Sequence, residues 1–312
     1  MSRKKIGMIG LGIMGGAMAK QLIDAGYAVS GYDIDQNCLE RHRQNGGEVS
    51  ENIELLMFDV DIVIISLATS QALLDTAEKI AFALSKDPSK KPIVIETSTL
   101  PLGDKESFQR IVQAQGIQIL DCPISGTAVR LSERAWTFFC SGPLSAYEET
   151  LEIYKLFTDN FPYVGEYGSG TKMKYVANHL VAIYNVAYAE STTLAKKLGL
   201  NPQDVLDLFG NSPVIGTGVM RLRVKMMVDD TFVPPTMKVQ VWQKDMQVIG
   251  DAAKAVNCPT PIFNACAGIY TAAMAQGLAM EDTASVARVY AGMSIALCLL
   301  RLAVFEICPI SS

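Results

Sequence analysis

The chain has 312 residues, 49% of them apolar and 19% charged, with a formal net charge of −5. That length and apolar content suit two domains with buried cores and exclude a disordered chain. The acidic balance, with no long lysine/arginine block, excludes a protein that tracks a nucleic-acid backbone.

The first segment, "IGMIG" at 6–10, is a short apolar run that reads as a strand. "GLGIMGGAMAKQLIDAG" then changes to helical spacing, with Met14, Met18, Leu22 and Ile23 on or near one face. "YAVSGYD" (27–33) is a second strand. "DIVIISLA" (61–68), "KPIVIETS" (91–98) and "GIQILDCP" (116–123) are further buried strands, and "WTFFCSG" (136–142) is one more. Helical patterns lie between several of them. This alternation predicts an α/β fold, a Rossmann-type doubly wound parallel sheet.

From about residue 165 the pattern becomes helical. Residues 170–199 form one long helix that spans roughly 40 Å and is apolar round most of its circumference, so burial on several sides is expected. Further helices are expected at 202–210, 217–228, 239–256, 260–277 and 282–300. The chain is thus read as a dinucleotide-binding domain over 1–164 and an all-α substrate and dimerisation domain over 165–312. The long apolar helix exceeds what one small helical domain buries, which predicts a homodimer or homotetramer through the second domain.

The tail "MSIALCLLRLAVFEICPISS" is apolar, but Arg301 and Glu306 interrupt it below the roughly 18 residues that a membrane span needs. A buried helix or subunit contact is expected there, and no membrane partner. Seven cysteines at 38, 122, 140, 258, 266, 298 and 308 form no CxxC pair. Reduced thiols in a cytoplasmic protein fit that pattern better than a disulfide framework. With only His42 and His179 present, no metal site is expected.

Gly10, Gly12 and Gly15 stand in GxGxxG spacing between the first strand and the first helix. The first permits a tight turn, the second lets a pyrophosphate approach the backbone, and the third lets helix and strand pack closely. Free N–H groups and the positive helix end favour the phosphates. Asp33, at the end of the second strand, lies where a ribose-binding carboxylate belongs; the other reading is a plain turn residue. Its charge disfavours a 2′-phosphate, and Arg41 and Arg43 lie two helical turns on, so NAD is expected over NADP.

With these segments in order, the sequence resembles the β-hydroxyacid dehydrogenase family from Ile6 to about Gly292. "GLGIMGGAMAKQL" resembles the family's cofactor loop, with Gln21 where asparagine is usual. "ETSTLP" (96–101) resembles its STxxP-like turn, "DCPISG" (121–126) its DxPxSGG substrate motif, "GSGTKMKYVAN" (168–178) its GxGxxxKxxNN catalytic motif, and "WQKDM" (242–246) its KDL motif. The resemblance implies a cofactor set of Gly10, Leu11, Gly12, Ile13, Met14, Gly15, Asp33, Leu67, Ala68, Thr99 and Lys244. It implies a substrate set of Ser125, Gly126, Thr127 and Asp245. The chain departs from the pattern at Thr127, at Arg130 and Arg134 where glycines are usual, and at Ala177, which replaces the first asparagine of the NN pair.

The resemblance makes Lys174 and Asn178 the catalytic pair, and helix geometry selects the same two. They are i and i+4 on one face, whereas Lys172 projects to the opposite side with Val176 and His179. A hydride leaves a carbinol carbon only if the hydroxyl proton also leaves, and a neutral amine accepts that proton. Free lysine has a pKa of roughly 10.4, so desolvation or a neighbouring positive charge, such as Lys244, must lower it. The hydroxyl and N–H groups of Ser125 and Gly126 suit a carboxylate. Asp245 is expected to hold Lys174 or Lys244 in place. Arg130 is read either as a partner of the substrate carboxylate or as solvated. His179 and Cys122 are read as packing residues. The expected activity is hydride transfer between NAD(P) and a small 3-hydroxy acid or its semialdehyde. An imine reductase on the same scaffold, or a decayed dinucleotide-binding protein, is the alternative.

Overall fold

The computed structural model of the chain describes residues 3–294. Strands and helices alternate as β1 (Ile6–Ile9), α1 (Ile13–Asp24), β2 (Val29–Tyr32), α2 (Gln36–Gln44), β3 (Glu48–Val49), α3 (Ile53–Asp59), β4 (Ile62–Ile65), α4 (Ser70–Lys86), β5 (Ile93–Glu96), α5 (Leu102–Gln113) and β6 (Ile119–Asp121). The six strands form one parallel sheet in the order β3-β2-β1-β4-β5-β6. The order reverses between β1 and β4, and ligands of such sheets bind beyond the carboxyl ends of the strands at that point.

The strands read as unbroken apolar runs because both faces of the sheet are covered. Ile6, Met8, Ile62, Ile64, Ile93 and Ile95 pack with Met18 and Leu22 of α1 on one side. Ile9, Val63, Ile65 and Val94 pack with Leu73 and Ile80 of α4 and Phe108 of α5 on the other. The two-residue β3 is too short and too polar to show in the sequence.

The run at 136–142 is not one of the six parallel strands and touches the sheet only at the end of β6. After β7 (Ile124–Ser125), only a short 3-10 turn (Ala128–Arg130) precedes β8 (Thr137–Phe138), and β7 and β8 pair antiparallel. A parallel strand needs a crossover of a dozen or more residues, commonly a helix; no helix stands between these two. The antiparallel contact continues through the Asp121–Ser141 bridge. Helix α6 (Leu144–Phe157) then covers the sheet through Ile153, Tyr154 and Phe157.

The long helix is α7 (Ser169–Lys197). The chain divides into two compact units that meet inside it, between Val176 and Ala177. Along α7, Met173, Val176, Leu180, Tyr184 and Leu194 stay exposed, as does Leu198 just past its end. The expectation of burial on several sides therefore does not hold within a single chain.

The second unit continues with α8 (Pro202–Phe209), α9 (Gly218–Asp229), α10 (Val239–Ala255) and α11 (Pro261–Ala275). A 3-10 turn at Thr283–Ser285 leads into helix over 286–294. The rest of the helix expected at 282–300, and the apolar tail, lie outside the described residues. No helix among the described residues is long and apolar enough to cross a membrane.

Asp282 ties this unit together. Its carboxylate pairs with Arg223 of α9, accepts from Thr236 N at 2.7 Å and Thr236 Oγ1 at 2.8 Å, and accepts from Ala284 N at 2.9 Å. Burial pushes this carboxyl up, but Arg223 and the backbone donors outweigh it and hold it below the usual aspartate range. A lowered folded-state value means the stabilisation is complete above the unfolded value of about 3.9 and is lost as pH falls through the folded one. Urea unfolding should show its midpoint dropping below about pH 4. Asp282→Asn should flatten that acid limb and cost about 3 kcal/mol at neutral pH, because it leaves Arg223 buried without its counter-charge.

Candidate active site

Apart from Lys244, which lies on α10 in the second unit, the predicted cofactor residues gather along the carboxyl edge of the sheet. The glycine loop follows β1, Asp33 follows β2, Leu67 and Ala68 follow β4, and Thr99 follows β5. Leu11 is buried beneath the loop, Met14 is half-buried, and Ile13 at the start of α1 is 79% exposed. Asp33 Oδ2 accepts from Leu11 N at 2.6 Å and Oδ1 from Asp35 N at 2.9 Å, which holds the acid against the loop. Leu67 N donates to Ser98 Oγ at 2.8 Å, joining the turns after β4 and β5. Arg41 lines a cavity with Leu11, Gly12 and Ile13, and its Nη2 lies 3.0 Å from Cys38 Sγ.

The loop fits a dinucleotide by a steric criterion. A Cβ on Gly15 would lie 1.9 Å from the carbonyl oxygen of Gly10, so glycine is needed there for close helix–strand packing. A Cβ on Gly12 would meet no protein atom within 4 Å. Gly12 caps α1 with no side-chain hydrogen bond, leaving the first N–H groups of the helix for an anion.

The substrate motif lies just past β6. Gly126 has φ +141°, and a Cβ there would meet Trp136 Cδ1 at 2.6 Å. Trp136 Nε1 donates to Thr127 O at 2.7 Å, which fixes this segment. Ser125 is half-buried, and Thr127 Oγ1 is buried without a hydrogen-bond partner among the described residues. The two arginines at usual glycine positions turn away into local pairs. Arg130 binds Glu133 at 2.8 Å, and Arg134 binds Asp159 at 2.7 Å. Arg134 has φ +54°, a left-handed conformation that favours glycine.

On α7, Lys174 is 8% exposed and Asn178 is 4% exposed, while Lys172 faces solvent. The helix therefore separates the two lysines as the wheel predicts. In the second unit Asn178 Nδ2 donates to Asp245 Oδ2 at 3.0 Å, and Asp245 Oδ1 lies 3.4 Å from Lys244 Nζ. His179 stacks on Phe263 at 5.1 Å, and Cys122 Sγ lies 3.2 Å from Tyr154 OH inside the core.

Sequence reasoning missed a buried polar cluster beside these residues. Lys105 of α5, with no exposed surface, bridges Glu96 at 2.6 Å and Asp121 at 2.5 Å, both equally buried. It also donates to Ser98 O at 2.9 Å and Thr171 Oγ1 at 2.8 Å. Burial alone would push this ammonium down; Asp121 and Glu96 outweigh it and hold it above the usual lysine range, so it is charged. The signal was a carboxylate closing each of two otherwise apolar strands, Glu96 and Asp121, with one lysine in the first turn of the intervening helix.

A phosphate-ready glycine loop on a doubly wound parallel sheet, followed by a helical unit, defines an NAD(P)-binding dehydrogenase architecture. Residues 5–165 match the family model of the NAD binding domain of 6-phosphogluconate dehydrogenase. Residues 168–290 match the model described as NAD-binding of NADP-dependent 3-hydroxyisobutyrate dehydrogenase. The chain belongs to the β-hydroxyacid dehydrogenase family and is an NAD(P)-dependent oxidoreductase of CH–OH groups. It is 28% identical to an L-threonate dehydrogenase of Cupriavidus necator over 94% of this chain and 98% of that one. It is 26% identical to glyoxylate/succinic semialdehyde reductase 2, chloroplastic, of Arabidopsis thaliana over 90% of this chain and 78% of that one. The structure of Mycobacterium tuberculosis 3-hydroxyisobutyrate dehydrogenase with L-serine shares the fold, with a TM-score of 0.81 at 23% identity over 93% of this chain and 99% of that one.

The two glycines should respond differently to substitution. Gly12→Val should unfold at the wild-type temperature yet bind NADH at least about tenfold more weakly in a fluorescence titration. Gly15→Ala should lose about 1–3 kcal/mol of stability, because its Cβ collides with backbone that cannot move aside.

Proposed function

We propose that the chain interconverts a small 3-hydroxy acid and its semialdehyde, with Lys174 as the proton acceptor and donor. The observation that carries this reading is the pair Lys174 and Asn178, both nearly buried and one turn apart on one face of α7, beside exposed Lys172. A lysine is seldom withdrawn from water without a task or a partner. The names of the relatives support the substrate class, since they act on short hydroxy acids or semialdehydes.

Bound nicotinamide supplies the hydride acceptor or donor. In this reading the substrate carboxylate docks on Ser125, Gly126 and the Thr127 hydroxyl. Asp245 accepts one amide hydrogen of Asn178 at 3.0 Å, which sets the direction of that side chain. The second amide hydrogen stays available as an uncharged donor one helical turn from Lys174. Lys174 takes the hydroxyl proton in oxidation and returns it in reduction. Asp33 favours NAD, because its carboxylate repels a 2′-phosphate; the opposing group is Arg41, on the same loop cavity.

We also propose that a second copy of the chain covers the exposed stripe Met173, Val176, Leu180, Tyr184 and Leu194 of α7, with Leu198 just beyond it. These residues recur at helical spacing, as a packing seam does.

Glycerate, 3-hydroxyisobutyrate, L-threonate and succinic semialdehyde should be assayed with both cofactors by absorbance at the reduced nicotinamide band. Turnover of at least one, faster with NAD than NADP, and a loss of about a hundredfold or more in kcat for Lys174→Ala with NADH binding retained, are the expected results. Wild-type turnover in Lys174→Ala, or activity on a cyclic imine alone, would end this reading. Light scattering should give a mass at least twice the 33.8 kDa of one chain, and Leu180→Glu should lower it. A monomer at micromolar concentration would remove the second-copy proposal.

A further inference from the structure

Proton transfer by Lys174 requires that its amine be aimed at the reacting oxygen. Lys174 lies three residues beyond Thr171, about 4.5 Å along the helix axis. Thr171 is therefore the last fixed point before the reacting side chain. Its N–H donates to Asp121 Oδ2 at 2.8 Å and its hydroxyl to Asp121 Oδ1 at 2.7 Å. One residue earlier, Gly170 N donates to Ser141 Oγ at 2.9 Å, and Ser141 Oγ lies 2.9 Å from Asp121 O. A Cβ on Gly170 would sit 2.2 Å from Phe139 O, so the helix start is pressed onto the Asp121–Ser141 bridge. The Asp121 carboxylate thus occupies the positive end of α7, where an anion is favoured.

Lys105 completes the arrangement. Its ammonium reaches four groups on three segments: Glu96 and Ser98 O after β5, Asp121 at the end of β6, and Thr171 in the first turn of α7. Each segment runs into a residue of the proposed site: Ser98 into Thr99, Asp121 into Ser125, and Thr171 into Lys174. A second tie supports the same junction, with Tyr175 OH donating to Leu100 O at 2.6 Å.

We propose that Lys105 is a positioning residue for the reaction: with Asp121 and Thr171 it sets the direction in which α7 leaves the sheet, and so where the Lys174 amine lies relative to the nicotinamide and substrate segments. This rests on the reading of Lys174 as the proton-transfer group. Lys105 touches no reactant. Its effect is exerted through Thr171 and the first turn of α7.

Two kinds of substitution separate this role from plain folding stability. Lys105→Met exposes Glu96 and Asp121 to each other and tests the cation directly. Thr171→Val removes only the hydroxyl, which accepts from Lys105 and donates to Asp121 Oδ1, keeping the volume and the backbone donor to Asp121 Oδ2. For Thr171→Val we expect the wild-type circular dichroism spectrum, kcat lower by roughly ten- to a hundredfold, and KM and the NADH dissociation constant changed less than about threefold. Thr171→Ser should restore most of the loss. In a Lys174→Ala background, Thr171→Val should change the residual rate less than about twofold, since both act through one amine. Activity aside, the rate at which an amine-acylating reagent labels Lys174, read by peptide mass spectrometry, should change at least about threefold in Thr171→Val, with Lys172 as the unchanged internal standard.

Unaltered kcat and unaltered Lys174 labelling in folded Thr171→Val would overturn the proposal, whether or not Lys105→Met folds. So would a full, independent loss from Thr171→Val on top of Lys174→Ala. Wild-type turnover in Lys174→Ala alone would instead overturn the proton-transfer reading, and the labelling result would still report on the positioning.

Discussion

A lysine ammonium sealed from water must find its counter-charges inside the protein, and Lys105 finds them at the ends of neighbouring strands. Glu96 and Asp121 close β5 and β6, and both carboxylates meet the same nitrogen. Each of the three charges alone would be costly to bury; together they offset one another, with the Lys105 N–H groups donating to Ser98 O, Asp121 Oδ1 and Thr171 Oγ1 and Glu96 Oε2 held by ion pairing alone. Removing one partner of such a cluster typically costs about 3–5 kcal/mol, because the remaining charges stay buried. The value of the arrangement lies less in net stability than in direction. It admits one way for the two strand ends and the start of α7 to meet.

From that junction the rest of the dinucleotide-binding unit follows by ordinary packing. The sheet is covered on both faces, so its central strands β1, β4 and β5 carry mostly apolar residues and leave their chemistry at the carboxyl ends. The glycine loop, Asp33, Thr99 and the Ser125–Thr127 segment all stand on that edge. The loop itself is shaped by exclusion: no side chain fits at Gly15, and nothing fills the space at Gly12. The same helix that starts at the Lys105 cluster carries Lys174 inside the first unit and Asn178 at the start of the second. In the second unit, Asp282 plays a comparable organising part, with Arg223 as its cation.

Most of the architecture was legible along the chain. Five of the six parallel strands fall in segments read as strands, of which β4 and β5 are β-branched runs, and the helices of the second unit follow from apolar spacing and their glycine and proline boundaries. Periodicity alone sufficed to separate Lys174 from Lys172, because an α-helix places i and i+4 together. Other features were not legible. The two-residue β3 has no pattern to display. The segment at 136–142 has strand composition, yet composition carries no information about whether it pairs parallel or antiparallel. Asp245 lies 3.4 Å from Lys244 Nζ and also accepts from Asn178, a contact the sequence did not suggest.

Local pattern by itself determined the fold class, the glycine loop, the acid after β2 and the lysine–asparagine pair, since each is a short-range consequence of spacing. Tertiary structure alone decided which charges are buried together. Lys105, Glu96, Asp121 and Thr171 lie up to 75 residues apart, and the carboxylates that close two apolar strands do not by themselves say which cation they meet. Their meeting depends on strand order and on where α7 begins, and no window of sequence contains either.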